Sequence, residues 1–134
     1  MTLVDSNVLI DLIEGTSACS DWSRHAVAKA QAIGPLVINH IIVGELASLI
    51  EDEEGLQVMI ASFGLSIVAF DIAGALRSGK AFHDYRRRGG KRTAILADFL
   101  IAGHASTLGA SLMTRDKRKI ASYFPELTLI TPET

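Results

Sequence analysis

Short apolar runs recur along this chain, and each is followed by a stretch with helical periodicity bounded by glycine, proline or a capping residue. Residues 2–5 read as a short buried strand. Residues 7–14 read as a helix with Val8, Leu9, Leu12 and Ile13 on one face, ended by Gly15. A second helix is expected over 17–33, stopped by Gly34-Pro35, and the β-branched run 36–38 is a second strand. Asn39 is placed to cap the helix that carries Glu45. After the acidic turn 51–54 come a helix over 56–63, a strand over 66–70 and a long helix opened by Asp71 and running to about residue 85. The pattern closes with a helix over 93–108, a strand over 111–113, a short helix over 116–123 and a strand over 127–130. Strands alternating with helices predict a three-layer α/β/α unit: a central parallel sheet of about five strands, covered on both faces through right-handed crossovers. No repeat, low-complexity stretch or linker divides the 134 residues, so residues 1–134 are expected to form one domain.

Four acids stand where this pattern would bring them to one sheet edge. Asp5 closes the first apolar run, and Asp116 follows Leu112-Met113-Thr114-Arg115. Glu45 and Asp98 interrupt the apolar stretches Ile41-Ile42-Val43-Gly44 and Ile95-Leu96-Ala97 on helices that begin near the same end. Taken singly, Asp5 and Asp116 are ordinary helix caps and Glu45 an ordinary amphipathic-helix residue. Asp98 has no cation three or four residues away to neutralise it. In open parallel sheets the site lies beyond the carboxyl ends of the strands. Carboxylates converging there repel one another unless a divalent cation holds them, the usual arrangement of a magnesium or manganese site working on phosphates.

Overall charge says little about partners, because 13 Lys and Arg nearly balance 15 Asp and Glu. Local charge says more. Arg86, Arg87, Arg88, Lys91 and Arg92 lie within one seven-residue segment that directly precedes the Asp98 helix. They suit contact with nucleic-acid phosphates beside the cleft. The competing reading is a solvated helix end, where cations complement the helix dipole. Cys19 stands alone, so no internal disulfide or cysteine zinc site is expected, and it reads as a small helix residue. The four histidines, His25, His40, His83 and His104, have no ligand spacing, and His104 is expected to be structural. No apolar run approaches the roughly 20 residues of a membrane span, and Asp5 and Asp11 interrupt any signal-like start, so the expectation is a cytoplasmic protein.

Taken together, the segments Leu3-Val4-Asp5-Ser6-Asn7-Val8, Asn39 to Glu45, Asp98-Phe99-Leu100-Ile101-Ala102-Gly103-His104-Ala105 and Leu112-Met113-Thr114-Arg115-Asp116, followed by Tyr123-Phe124-Pro125, resemble a PIN-domain ribonuclease of the VapC toxin type. Ser6 stands where Thr is frequent, which keeps the hydroxyl. The resemblance implies an endoribonuclease whose four catalytic acids are Asp5, Glu45, Asp98 and Asp116. Asp5, Asp98 and Asp116 would ligate Mg²⁺ or Mn²⁺, Glu45 would take a second ion or orient water, and Asn7 and Thr114 would hold the carboxylates in place. It also implies a homodimer and a cognate VapB-type antitoxin lying near the cleft. Two other classes are a phospho-acceptor receiver module and a catalytically silent RNA-binding domain. The receiver needs paired acids after the first strand, which Asp5 lacks, and the intact acids argue against a silent domain.

Overall fold

The computed structural model describes residues 1–15, 18–90, 96–116 and 121–132. Five strands form one wholly parallel sheet: β1 (Thr2–Val4), β2 (Leu36–Ile38), β3 (Leu65–Ile67), β4 (Ser111–Met113) and β5 (Leu129–Ile130). Their spatial order is β3-β2-β1-β4-β5. The chain therefore winds outward from β1 to β3, crosses back over the sheet and continues through β4 to β5. Between β1 and β4 the direction of winding reverses, and the crevice at their carboxyl ends is where such sheets bind ligands.

Among the described residues six α-helices connect the strands: α1 (Ser6–Glu14), α2 (Ser20–Ile33), α3 (His40–Leu46), α4 (Glu53–Phe63), α5 (Ile72–Arg87) and α6 (Leu96–Leu108). Side chains fix their starts. Asp5 accepts from the Ser6 amide, Asn39 from Ile42, Asp52 from Gly55 and Asp71 from Gly74. Gly15 ends α1 at φ 67°, a left-handed conformation that glycine adopts without steric cost. Right-handed crossovers set α5 and α6 on the face opposite the helices that follow β1 and β2. The three central strands are buried on both sides, with Leu3, Val4, Ile38 and Met113 fully enclosed and Leu112 nearly so, while the edge strands β3 and β5 are only partly covered.

The element order agrees with the sequence reading, while several boundaries move for identifiable reasons. The acidic run expected as a turn is the first turn of α4, because Asp52 caps it and Glu53 and Glu54 complement the positive helix end. The third strand lies at Leu65–Ile67 rather than 66–70, where Leu36–Ile38 supplies its hydrogen-bonding register. The last strand is confined to Leu129–Ile130, the residues opposite Leu112 and Met113. Helix α5 runs on to Arg87. Cys19 flanks the start of α2, half-buried, instead of lying within a helix. Of the short helix expected over 116–123, residues 117–120 lie outside the described residues and Ala121–Tyr123 form a 3₁₀ turn. The starts expected at residues 17 and 93 also fall outside them. Val27, Leu46 and Met59 are core, Leu56 is half-buried, and Leu49 is exposed on a 3₁₀ turn. No helix among the described residues is long and apolar enough to cross a membrane.

Helices α5 and α6 approach unusually closely. Gly103 of α6 lies against Ser78 of α5, and Gly74 of α5 lies against His104 of α6. Below this contact an aromatic cluster fills the space beside the sheet, with Phe99 5.3 Å from Phe82, 5.2 Å from Tyr85 and 6.1 Å from Phe124 between ring centroids.

Candidate active site

The hydroxyl of Thr114, just beyond β4, is the hub of the switch-point crevice. It donates to Asp5 Oδ2 at 2.7 Å and accepts from Asn7 Nδ2 at 3.2 Å and from the Asp116 amide at 3.1 Å. One donor and two acceptors are all that a hydroxyl has, so its orientation is fully determined. The other Asp5 oxygen accepts from the Ser6 amide at 2.7 Å, so one carboxylate both caps α1 and takes the Thr114 hydroxyl's hydrogen bond. Asn7 Oδ1 accepts from the Arg115 amide at 3.2 Å. Asn7 and Thr114 thus lash the loop carrying Asp116 to the start of α1.

Glu45 enters from α3 and Asp98 from α6. Ser6 Oγ donates to Glu45 Oε1 at 2.8 Å and lies 3.5 Å from Asp5 Oδ1, bridging two of the acids. Glu45 is exposed as a whole residue, with Ile42 and Leu46 forming the buried side of α3, while its carboxyl end turns in against Ser6 and is partly desolvated there. Asp98 is half-buried and makes no hydrogen bond or ion pair among the described residues. The carrier helices are coupled through Asn39, whose Nδ2 lies 3.0 Å from His104 Nδ1 while its Oδ1 caps α3. His104 is completely enclosed, edge-on to Phe70, and burial holds its imidazole below the usual range, in the neutral form. Its Nε2 is buried without a well-aligned hydrogen bond, although the Ala69 backbone is close enough to influence it.

Burial is the main reason that the carboxyls of Asp5, Glu45 and Asp98 are held above the ordinary range, and their mutual charges push the same way. Asp116 adds its charge to the repulsion on Asp5 and Asp98. Hydrogen bonds from Thr114 and Ser6 partly offset the rise at Asp5. Such a set gains most from a divalent cation, and a donor set made only of carboxylate oxygens suits a hard ion. The acids are not already a closed cage: among the described residues no three His, Cys, Asp or Glu side chains stand together closely enough to hold one ion. The crevice fits the ion in charge and donor chemistry, with the carboxylates still apart.

Residues 2–123 match the PIN domain, which is nearly the whole chain. The chain belongs to the PIN-domain family. It is 34% identical over 116 residues to Ribonuclease VapC10 of Mycobacterium tuberculosis, covering 85% of this chain and 81% of that protein. Its fold is similar to that of VapBC2 from Rickettsia felis bound to a DNA fragment from their promoter, with TM-score 0.75, 21% identity and 97% of each chain covered. A toxin–antitoxin complex from Klebsiella pneumoniae is similar at TM-score 0.72 and 23% identity, over 99% of this chain and 98% of that one.

Other expected residues of this PIN domain are placed less simply. Arg86, Arg87 and Arg88 end α5, while Lys91 and Arg92 lie outside the described residues. Arg87 and Arg88 each reach Asp84 at 3.3 Å, Arg88 also stands 5.6 Å from the Tyr123 ring centroid, and Arg86 stands 5.8 Å from that of Phe82. Lys80 and His83 join Phe82, Arg86 and Arg87 around an open depression of about 620 Å³. Sequence pattern does not mark Ser6, Asn39, Asp11 and Arg115 as site residues. Their partners are 39, 65 and 104 positions away, beyond the reach of any local motif.

Proposed function

We propose that this PIN-domain protein is a divalent-metal-dependent endoribonuclease, the toxin of a VapBC-type toxin–antitoxin pair acting in the cytoplasm. The observation that carries this reading is that Ser6 joins Asp5 to Glu45 and Thr114 joins Asp5 to the Asp116 backbone at the sheet's switch point, and burial together with neighbouring charge raises the carboxyls of Asp5, Glu45 and Asp98. Asp5, Asp98 and Asp116 would hold Mg²⁺ or Mn²⁺. When bound, the ion supplies Lewis acidity toward a scissile phosphate and lowers the pKa of water. Glu45, exposed and steadied by Ser6, is free to orient the attacking water or to take up a proton. Asn7 and Thr114 keep Asp5 and the Asp116 loop in register, a supporting role whose loss typically costs about 10–100-fold in metal affinity or activity. The family's 34%-identical ribonuclease relative supports RNA as the substrate.

A VapB-type antitoxin is the expected partner, with an Arg or Lys pairing with the acids in place of the cation, and the toxin is expected to be a homodimer. The deciding experiment incubates purified protein with total cellular RNA in Mg²⁺, Mn²⁺ or EDTA and maps the ends produced. Discrete cleavage in either metal and none in EDTA is the expected result. Cleavage that survives EDTA would remove the metal mechanism, and no cleavage under any condition would remove the nuclease reading.

RNA phosphates are proposed to run along the basic end of α5, from Lys80 and His83 toward Arg86, Arg87, Arg88, Lys91 and Arg92. Neutralising Arg86, Arg88, Lys91 and Arg92 together is expected to weaken binding to all RNA sequences alike. The slope of log affinity against log salt should flatten by about 0.7 for each phosphate that the protein no longer neutralises. A salt titration on wild type and the fourfold Ala variant measures this, and an unchanged slope would return the segment to a solvated helix end.

A further inference from the structure

Arg115 sits between Thr114 and Asp116, at the rim of the acid cluster, yet its side chain points away from a substrate role. Its Nε lies 3.0 Å from Oδ2 of Asp11, a carboxylate only 2% exposed. The same Oδ2 accepts from Ser23 Oγ of α2 at 2.6 Å, and Ser23 is itself fully buried. The Arg115 N–H is not well aligned with the carboxylate, so the contact is a charge pair more than a directed hydrogen bond. One residue along, the Arg115 amide donates to Asn7 Oδ1 and the Asp116 amide to Thr114 Oγ1. The loop after β4 is thereby tied to α1 at two points, through the Arg115 side chain and the Arg115 amide, while the Asp116 amide closes back on Thr114 within the loop.

We infer that Asp11 and Arg115 are a positioning pair that holds the Asp116 carboxylate toward Asp5, so that an arginine raises the affinity of the site for a divalent cation. A buried ion pair seldom repays its desolvation as stability, and its best-attested use is to select one arrangement. Here the arrangement selected is that of the loop presenting Asp116. Asp11 serves because Asp5 caps α1 and Ser23 anchors the same helix to α2, so the pair refers Asp116 to the helix that fixes Asp5. Neither residue touches substrate or metal; both act through Asp116. This role rests on the metal-site reading above.

Bare electrostatics and positioning demand opposite signs. If Arg115 acted only through its charge, its removal would strengthen cation binding, since a positive neighbour opposes a positive ligand. If it positions Asp116, removal weakens binding. Mn²⁺ affinity of the whole protein is therefore to be measured by calorimetry for wild type, Arg115→Met, Arg115→Lys, Asp11→Asn and Asp98→Asn, with a thermal melt of each. Arg115→Met and Asp11→Asn are expected to lose about 10–100-fold in Mn²⁺ affinity, the usual consequence of removing a supporting partner, and Arg115→Lys to lose less. In an Asp116→Ala background, Asp11→Asn should have no further effect. Amide exchange of metal-free Asp11→Asn supplies a readout independent of loading: the Arg115 and Asp116 amides should lose protection while those of β1 keep theirs. Equal or tighter Mn²⁺ binding by a folded Arg115→Met would overturn the inference. If Arg115→Met fails to fold, undiminished affinity in Arg115→Lys together with unchanged amide protection in Asp11→Asn would overturn it. Wild-type Mn²⁺ binding that Asp98→Asn leaves intact would instead remove the metal site itself, and this role with it.

Discussion

Asp98→Asn is expected to abolish RNA cleavage, by more than about the hundredfold that follows even from disturbing a ligand's supporting partners, while making the metal-free protein more stable at neutral pH. Both effects come from one property of this residue. Asp98 is half-buried on a helix otherwise rich in apolar side chains, and neither a donor nor a cation among the described residues compensates its charge. Burial first, then the charges of Asp5 and Asp116, raise its folded pKa above the ordinary 3.8. The folded state therefore binds a proton more tightly than the unfolded chain does. That penalty is absent below pH 3.8, grows as pH rises through the folded pKa, and is complete above it. Asparagine removes it without changing the side chain's volume, so melting temperatures of variant and wild type should coincide near pH 3 and separate in the variant's favour at pH 7.

Asp5→Asn should lose activity as well, but it is a less clean test. Asp5 accepts from both the Ser6 amide and the Thr114 hydroxyl, and an amide can keep only one acceptor oxygen. The Thr114 hydroxyl already accepts from Asn7 and Asp116, so a new donor facing it would go unsatisfied. Asp98 carries no such secondary duty. Induced without its partner, the wild type is expected to arrest growth and Asp98→Asn to permit it. Full cleavage by a purified, metal-loaded Asp98→Asn protein, or equal growth of the two strains, would sink the proposed site or its toxic consequence respectively.

The acids are legible in the sequence because each interrupts an apolar segment at a recognisable place. Asp5 follows a strand, Asp116 follows a strand by three residues, and Glu45 and Asp98 break helices whose other faces are core. Asn39 and Asp71 are legible as caps for the same local reason, since the group satisfied lies only three residues on. Of the groups around the acids, the resemblance names Asn7 and Thr114, while Ser6, Asp11 and Arg115 are not legible. Ser6 reads in sequence only as a substitute for threonine, whereas its hydroxyl reaches Glu45 across 39 positions. Asp11 reads there only as a charge interrupting an apolar start, and its burial follows from Ser23 and Arg115, which arrive from α2 and from the far end of the chain. Periodicity reports which face of an element is buried and never which distant polar group will meet it there. The acidic run before α4 passes for a turn for a related reason: Glu and Asp favour both turns and helix N-termini, and only the Asp52 cap on Gly55 distinguishes the two.

Gly103→Ala is expected to be among the most damaging single changes outside the acid cluster, although alanine is the better helix former by about 1 kcal/mol. A methyl group at position 103 would lie 1.9 Å from Ser78 Oγ, 2.8 Å from the Ser78 backbone nitrogen and 2.9 Å from its Cα. A new rotamer at Ser78 would relieve the first contact at the expense of its 2.7 Å bond to the Gly74 carbonyl. It would leave the two backbone contacts untouched. Helices α5 and α6 must therefore separate, which loosens the packing of Phe82 and Tyr85 on Phe99 and of Gly74 on His104. Overpacking of this kind costs typically about 1–3 kcal/mol and more where backbone is the obstacle, so a drop of several degrees in melting temperature is expected. Cleavage should fall too, because α6 also carries Asp98. Gly79→Ala on α5 is the matched control: nothing lies within 4 Å of its would-be methyl group, so there the change should stabilise by about 0.4–1 kcal/mol. Ser78→Ala combined with Gly103→Ala separates the two sources of the clash, since it removes the hydroxyl and keeps the backbone. Restoration of the wild-type melting temperature by that double variant would show that the hydroxyl alone sets the spacing of the helices; persistence of the loss would place the limit on the backbone of α5, where the geometry puts it.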